Sequence, residues 1–237
     1  MNLKMLEDVL DPGGESLDAV LDWVNGRIEA IRKTAFTPEA IETFASVELK
    51  EEFVHSFGME ASSTWRRFFL ATLLADWASY EKPVDRADFA RLKYIMTSAY
   101  RYTRLWGCRL ADRKFTPVGY TAWYPIAKFV FDGALDNQAE IDDRGIILPL
   151  RFASAKNIRY GYVFNFSIAK ELRHSSCSKK LLHSFLSDKA FASDIEALMI
   201  AVSPEGRKFA ERMRFVSAGD IKVQGETETL YVRHPRS

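Results

Sequence analysis

The sequence predicts an α+β protein with an α-helical region over residues 1–100 and a strand-rich domain over residues 101–237. Two observations predict this division. From Ser16 to about Tyr100, apolar residues recur at intervals of three and four, which is helical spacing. At Arg101 the period changes, and short runs rich in aromatic and β-branched residues follow, as is typical of strands.

Four helices are expected in the first hundred residues. They begin after Ser16, at Thr37-Pro38, at about Ser63 and at Pro83-Val84-Asp85, where capping residues or an early proline precede the apolar pattern. The second is expected to bury Ile41, Phe44, Phe53 and Phe57, and the third Trp65, Phe68, Phe69, Leu73 and Trp77. This region is expected to serve a protein partner or to act as a lid on the C-terminal domain.

The composition argues against several classes of partner. The chain has 237 residues, 47% of them hydrophobic, which is enough for a substantial core. Lys and Arg number 33 and Asp and Glu 32, so the net charge of +1 favours neither nucleic acid nor an anionic membrane. No early apolar run suits a signal peptide or membrane span, so a cytoplasmic location is expected. Cys108 and Cys177 fit no metal-binding pattern, and we expect free thiols and no metal.

The strands of the second part can be taken in order. Residues 103–110 and 117–124 bracket a polar turn and predict an antiparallel pair. Residues Asp132 to Arg144 are acidic and predict a surface loop, and residues 145–152 predict another strand. Later, residues 195–202 read as a strand, Ser203-Pro204 begins a helix, and residues 220–223 and 226–232 form two short strands.

The stretch from Tyr160 to Ser187 carries the functional argument. Residues 162–168 predict a buried strand, and the apolar residues 181, 182, 185 and 186 predict a helix. The polar turn between them, residues 173–178, leaves backbone N–H groups at a helix start, which suits an anion such as a pyrophosphate. The hydroxyls of Ser175, Ser176 and Ser178 and the charges of Arg173, Lys179 and Lys180 favour the same interpretation. An ordinary serine-capped helix is the alternative.

The run Ile168-x-Lys170-Glu171-Leu172-Arg173-x-x-Ser176-x-Ser178-x-x-Leu181-Leu182 resembles the acetyl-CoA-binding segment of the GNAT superfamily of N-acetyltransferases, V-x-P-E-x-[QR]-x-x-G-x-[GA]-x-x-L-L. Arg173 falls on the [QR] position, while serines replace both glycines and Lys170 replaces the proline. Where positive φ is required, losing glycine costs roughly 1–2 kcal/mol. Because serine is also small, these replacements weaken the inference of cofactor binding without excluding it.

Two further stretches are similar to the same family. Val118-Gly119-Tyr120 matches its V-G-[YF] element. Residues 203–215 follow N-x-x-A-x-x-x-Y-x-x-x-G-F in spacing, with Ala210 in place of the Tyr and Arg214 in place of the Gly. In the family that Tyr often protonates the departing CoA thiolate. The resemblance covers about residues 101–237.

The resemblance implies a GNAT-type mixed, mainly antiparallel sheet flanked by helices, with acetyl-CoA or another acyl-CoA as co-substrate and an amine as acceptor. It also implies that the strand ending at Ile168 splays from its neighbour, so that its backbone N–H groups receive the acetyl carbonyl and pantetheine arm. The expected cofactor-binding residues are Phe166, Ser167, Ile168, Arg173, His174, Ser175, Ser176, Cys177, Ser178 and Lys179.

No catalytic residue follows from the sequence. The stretch 160–169 contains no carboxylate, Glu171 is expected to be structural or solvated, and Tyr120 and Tyr124 are strand tyrosines of the core or the cleft rim. The hypothesis that the resemblance implies is an N-acyltransferase acting on a small-molecule amine, a protein lysine or an N-terminus.

Two alternatives stay open. The first is a GNAT-fold protein that binds a partner or a CoA ester without catalysis. The second is a relative of toxin-activating lysine acyltransferases, because Pro117 to Trp123 is similar to their P-V-x-Y-x-S-W stretch. That group uses an upstream histidine, for which this chain offers His55.

Overall fold

The structure, a computed structural model, describes residues 17–49, 63–136, 158–187, 195–223 and 226–235. Within these ranges the helices are α1 (Leu17–Arg32), α2 (Pro38–Glu42), α3 (Ser63–Ser79), α4 (Phe89–Ala99), α5 (Lys128–Leu135), α6 (Ser176–Leu186) and α7 (Pro204–Arg212). The strands are β1 (Ala45–Val47), β2 (Thr103–Arg109), β3 (Phe115–Pro125), β4 (Tyr160–Ile168), β5 (Glu196–Ala201), β6 (Val216–Val223) and β7 (Glu226–Arg233). Short 3₁₀ turns cover Pro83–Asp85, Tyr100–Tyr102 and Lys170–Leu172.

The described strands form one mixed sheet in the order β1-β2-β3-β4-β5-β7-β6. β1 pairs with β2, β5 with β7, and β6 with β7, all antiparallel, whereas β4 and β5 are parallel. The predicted α+β class, with a mixed and mainly antiparallel sheet flanked by helices, is confirmed. The parallel pair is joined by a stretch that contains α6, because parallel neighbours need a long crossover connection.

The second predicted helix is shorter than expected and is followed by a strand. Thr37 caps α2 as predicted, its Oγ1 accepting from the backbone N–H of Ala40 at 3.3 Å. The helix ends at Glu42, and β1 then pairs with residues 105–107 of β2. Three residues are too few to show a strand period, which is why the sequence did not reveal β1. Phe53, His55 and Phe57 lie outside the described residues. The predicted boundary between a helical region and a strand-rich domain at residue 100 stays a prediction.

The chain divides into two compact units, Met1–Thr121 with Ser167–Leu182 and Ala122–Phe166 with His183–Ser237. In the first unit, α3 is the central helix, because every residue from Phe68 to Asp76 is buried. Trp65 is 2% exposed and stacks on Phe69, with ring centroids 5.4 Å apart, and Phe69 meets Phe89 edge-on. Trp65 is thus a packed core residue.

In the second unit, β5, β7 and β6 form an antiparallel ladder that runs from Ala197 to Val223. The start of the predicted acidic loop is helical instead, because α5 continues to Leu135. Lys128 and Asp132, one helical turn apart, form an ion pair of 2.6 Å on this helix. The rest of that loop and the predicted strand at 145–152 lie outside the described residues. Among the described helices, none is long and apolar enough to cross a membrane.

Helix α7 begins and ends with recognisable capping motifs. The Ser203 hydroxyl accepts from the N–H of Gly206 at 3.0 Å, and Pro204 occupies the first helical position, as predicted. At the other end, Arg214 donates its N–H to Glu211 and Phe215 donates to Ala210, both at 2.9 Å. This is a Schellman motif, in which the residue at the position of Arg214 has positive φ and is usually glycine. Arg214 has φ of 62°.

We predict that Arg214→Gly stabilises the protein. A non-glycine residue in this conformation costs roughly 1–2 kcal/mol, and the greater freedom of glycine in the unfolded chain returns part of that, so a gain of about 0.5–1 kcal/mol is expected. Chemical denaturation measures the free energy of unfolding. Arg207→Gly, at an exposed position inside the same helix, is the matched control and should destabilise by about 1 kcal/mol. A loss of stability in Arg214→Gly would contradict the strain at this cap.

Candidate binding site on strand β4 and the turn that follows it

Strands β4 and β5 pair along only part of their length. Their register runs from Tyr160 opposite Glu196 to Val163 opposite Met199. Beyond this point β4 continues to Ile168 and β5 to Ala201, but the ladder between them stops. Since residues along a strand direct their N–H and C=O groups to alternate sides, part of the β4 backbone from 164 onward lacks the β5 partner that pairing would give it.

The predicted cofactor residues on β4 differ in their surroundings. Phe166 stacks on Phe209 of α7, with centroids 3.7 Å apart, and meets Phe185 edge-on at 5.8 Å. Ser167 is 6% exposed, and its hydroxyl has no hydrogen-bond partner within the described part of the chain. Ile168 is 7% exposed. A buried hydroxyl without a partner is costly unless something satisfies it, so Ser167 is a β4 side chain suited to a polar ligand group.

Gly119 of β3 allows the end of β4 to approach closely. A Cβ atom at Gly119 would lie 2.5 Å from the carbonyl oxygen of Ser167 and 2.9 Å from the Cα of Ile168. The N–H of Ala169, the next residue, donates to the carbonyl of Val118 at 2.6 Å. The Val118-Gly119-Tyr120 element therefore fixes where β4 ends and where the turn begins.

The turn is built as a capped helix start. Ser175 accepts from the N–H of Cys177 at 3.1 Å through its Oγ, and the same hydroxyl donates to the carbonyl of Leu172 at 2.7 Å. The hydroxyl of Ser178 donates to the carbonyl of Ser175 at 2.9 Å. Two of the three hydroxyls expected to help an anion are thus committed to the turn itself, as in the capped-helix alternative. The helix dipole remains available at this end of α6.

Replacing the two glycines by serine causes no backbone strain here. Among the described residues, positive φ occurs at Arg113, Arg214 and Gly219, and none of these lies in the turn. The cost expected for a glycine lost at positive φ therefore does not apply to Ser176 or Ser178. Of the other predicted residues, His174, Ser176 and Lys179 are exposed, and Ser175 and Ser178 are half-buried. The exposed face of the turn is formed by small or basic residues.

Cys177 is the predicted turn residue that the structure places in the interior. Both cysteines are free and fully buried, as the expectation of free thiols requires. Burial, together with the neighbouring thiol of Cys177 with which it hydrogen-bonds, raises the pKa of Cys108 to about 12. The Cys177 side chain therefore contributes packing, while its backbone N–H serves the cap.

Arg173, at the [QR] position of the family segment, points its guanidinium to main-chain carbonyls. It donates from Nη2 to Ser79 at 2.7 Å and from Nε to Ile168 at 3.4 Å. Lys170, which replaces the family proline, forms an exposed ion pair of 2.6 Å with Glu81. These bonds tie the turn to the C-terminal end of α3, a role that the sequence did not reveal.

The strand tyrosines are core residues. Tyr124 is fully buried beside the rings of Tyr162 and Phe164. Tyr120 is also fully buried, and its hydroxyl donates to Asp76 Oδ1 at 2.7 Å. Of the two positions open to them, core and cleft rim, both tyrosines occupy the core.

Sequence reasoning missed Asp76, which is 1% exposed. Its Oδ2 accepts from the N–H of Ala87 at 2.8 Å while Oδ1 accepts from Tyr120. Burial raises the pKa of Asp76 to about 6, although both hydrogen bonds and the nearby Arg91 and Arg86 oppose that shift. An aspartate in the apolar helix 63–79 was the available indication, because such a residue needs buried partners.

No proton donor stands at the position where the family has its Tyr. Ala210 lies on α7 and is fully buried. Glu171 is exposed, in keeping with the expectation that it is a solvated acid. Within the described residues there is also no group of three or more side chains that could hold a metal ion.

Comparisons with known proteins give structural likenesses only. No family model matches the chain, and no curated protein matches it. Among solved structures, histone acetyltransferase HPA2 and related acetyltransferase from Corynebacterium glutamicum is 13% identical, with a TM-score of 0.45, over 82% of this chain and 98% of that one. Arabidopsis thaliana NAA60 in complex with acetyl-CoA is 10% identical, with a TM-score of 0.44, over 81% and 98%.

The mosquito protein named arylalkylamine N-acetyltransferase like 5b is 15% identical, with a TM-score of 0.37, over 90% of this chain and 96% of that one. At TM-scores below 0.5 and identities below 25%, these likenesses indicate neither a shared activity nor shared site residues. What the chain itself shows is a mixed, mainly antiparallel sheet, a β4–β5 ladder that ends at Val163, and a capped turn after Ile168.

We predict that the pKa of Asp76 makes stability fall as pH rises. Because the folded-state pKa is raised from 3.8 to about 6, the folded protein holds this proton more tightly than the unfolded chain. The associated stability is fully present below about pH 4 and is lost as pH rises through about 6, a change of about 3 kcal/mol.

The measurement is urea unfolding from pH 4 to 8 for the natural protein and for Asp76→Asn. The difference between their free energies of unfolding should decrease by about that amount toward pH 8. Asp220→Asn, at an exposed position on β6, is the control for general charge effects. Parallel pH profiles for the natural protein and Asp76→Asn would show that this carboxyl does not titrate as stated.

Proposed function

We propose that this protein is an acyl-CoA-dependent N-acyltransferase that moves an acetyl group from acetyl-CoA to an amine, on a small molecule or on a protein lysine or N-terminus. The observation that carries the proposal is the end of the β4–β5 ladder at Val163 and Met199, followed along β4 by a capped helix start. Backbone donors on a strand and a helix N-terminus in sequence suit a thioester carbonyl and a diphosphate, respectively.

In this proposal the acyl-CoA lies along one continuous segment. The backbone of β4 after Val163 receives the thioester carbonyl and pantetheine amides, and the buried hydroxyl of Ser167 supplies a further polar contact. The diphosphate lies on the turn 173–178, at the positive end of the α6 dipole. The proposed cofactor residues remain Phe166, Ser167, Ile168, Arg173, His174, Ser175, Ser176, Cys177, Ser178 and Lys179.

The reaction transfers an acyl group without a redox step. The lone pair of the deprotonated amine attacks the thioester carbonyl, a C–N bond forms, and the C–S bond breaks. One proton leaves the amine nitrogen and one proton is taken by the CoA thiolate. Because Ala210 cannot donate, we propose that solvent protonates the thiolate. The contribution of the chain is then positioning and carbonyl polarisation.

A second candidate is a protein of the same fold that binds a CoA ester without transferring its acyl group. Ala210 favours this candidate, because a fully buried methyl group stands where the family often has its acid. The third hypothesis, a toxin-activating lysine acyltransferase, depends on His55, which lies outside the described residues.

We predict that Ser176→Asp abolishes the rise in melting temperature that CoA causes. Ser176 is the first residue of α6 and is exposed. A carboxylate at a helix N-terminus is compatible with the helix dipole, so the free protein should stay folded, but the charge would repel a diphosphate. Thermal melts with and without millimolar CoA provide the measurement. Ser176→Asn is the uncharged control and should keep the rise in melting temperature. An unchanged rise in Ser176→Asp would contradict diphosphate binding at this turn.

The transfer itself is tested by thiol release from acetyl-CoA in the presence of a panel of amines and lysine peptides. We expect release that depends on the amine and is lost in Ser176→Asp. The control without amine measures simple thioester hydrolysis. If CoA raises the melting temperature but no amine increases thiol release, the binding candidate is correct and the transferase proposal is wrong.

A further inference from the structure

Three arginines converge on the C-terminal end of helix α3. Arg32 donates from Nη2 to the carbonyls of Tyr80 at 2.8 Å and Trp77 at 3.3 Å. Arg86 donates from Nε to Tyr80 at 3.2 Å and from Nη2 to Glu81 at 3.3 Å. Arg173 donates to Ser79 at 2.7 Å. We call Arg32, Arg86 and Arg173 the arginine cluster.

The members of the cluster are close neighbours. Arg32 and Arg86 share the carbonyl of Tyr80, and the carbonyl that binds Arg173 belongs to the adjacent residue. The charge of Arg32 lowers the pKa of Arg86, a smaller effect than the burial of Arg86, and like charges affect each other in this way only at short range. The helix dipole accounts for about half a negative charge at this end, which is less than three guanidinium groups carry.

The nearby carboxylates offset the charge of the cluster only in part. Arg32 has Glu29 at 3.9 Å. Glu81 forms its ion pair with Lys170 and interacts more weakly with the charges of Arg173 and Arg32. Among the described residues, neither Arg86 nor Arg173 has a carboxylate within salt-bridge distance. Buried Asp76 acts on Arg86 at longer range, and it is charged only above about pH 6.

The guanidinium groups of Arg86 and Arg173, which have no carboxylate within salt-bridge distance, also retain N–H donors. Arg86 and Arg173 each use Nε and Nη2 for carbonyls, and within the described part of the chain no hydrogen bond uses Nη1 of either residue. All three arginines are half-buried, so their charges are held in place and are partly desolvated while still open to solvent. Pre-organised guanidinium groups of this kind suit the several oxygens of a phosphate.

We propose that the arginine cluster is a binding site for one phosphate group, and that Arg86 and Arg173 donate to it through Nη1. Two sources supply this chemistry: the 3′-phosphate of CoA, or a phosphate on the acceptor. The first source rests on the proposed use of CoA, whereas the site itself does not, since any phosphate-bearing ligand has the same chemistry.

The test is isothermal titration of the full chain with CoA, with dephospho-CoA, which lacks only the 3′-phosphate, and with inorganic phosphate. If the 3′-phosphate is the ligand, the natural protein binds CoA more tightly than dephospho-CoA, and Arg86→Gln weakens CoA binding roughly 10- to 100-fold and removes the preference. If the phosphate belongs to the acceptor, CoA and dephospho-CoA bind with equal affinity. Inorganic phosphate then still binds the CoA-saturated protein, and Arg86→Gln lowers its affinity.

Lys82→Gln is the matched control, because it removes one positive charge from an exposed residue four positions away, and its affinities should stay within about two-fold of the natural protein. Arg86→Lys keeps the charge but loses the planar fork, so it separates a general charge effect from a specific contact and remains useful if Arg86→Gln fails to fold.

Affinities for all three ligands that are unchanged in Arg86→Gln would overturn the site, and so would a natural protein that binds none of them. If inorganic phosphate binds in a way that depends on Arg86 while CoA does not bind, the phosphate site is supported and the CoA proposal is refuted.

Discussion

The first unit depends on the buried carboxylate of Asp76. It accepts hydrogen bonds from Tyr120 on β3 and from Ala87 before α4, so one side chain joins two helical segments to the sheet. A buried carboxylate is costly, and its two bonds offset that cost only if both donors stay in place. Tyr120 follows Gly119, whose missing side chain lets the end of β4 approach. The position of the candidate turn therefore follows from this network rather than from the turn residues alone.

The parts of the fold that the sequence predicted are those with local causes. The caps at Thr37 and Ser203 and the strand predicted at 162–168 each follow from a few adjacent residues, and the structure has all three, with the strand beginning two residues earlier, at Tyr160. The strand at 45–47 and the partners of Asp76 depend on segments far apart in the chain, so no local pattern could reveal them. In the site, the serine cap was predictable from the turn, whereas the carbonyl partners of Arg173 were not.

Two glycine positions of the family pattern illustrate why a substitution must be judged by backbone conformation. Ser176 and Ser178 replace glycines within α6, where the backbone has negative φ and serine is at no disadvantage. Arg214 replaces a glycine at a cap whose geometry requires positive φ. The sequence departs from the pattern equally in both places, but only the second departure stores strain. The turn thus forms a helix start without backbone strain. Its two serines therefore argue less strongly against ligand binding than the sequence difference from the family pattern implies.

The distribution of hydrogen bonds decides which groups remain for an anion. The hydroxyls of Ser175 and Ser178 already stabilise the turn, so they cannot carry much of its affinity for a diphosphate. What remains is the helix dipole and the guanidinium groups held at the end of α3, which are fixed by main-chain carbonyls. Half-buried charges are screened less by salt than exposed lysines are. If the proposed sites bind anions, the affinity comes from the α6 dipole and from guanidinium groups whose position is set by α3, with little contribution from the Ser175 and Ser178 hydroxyls.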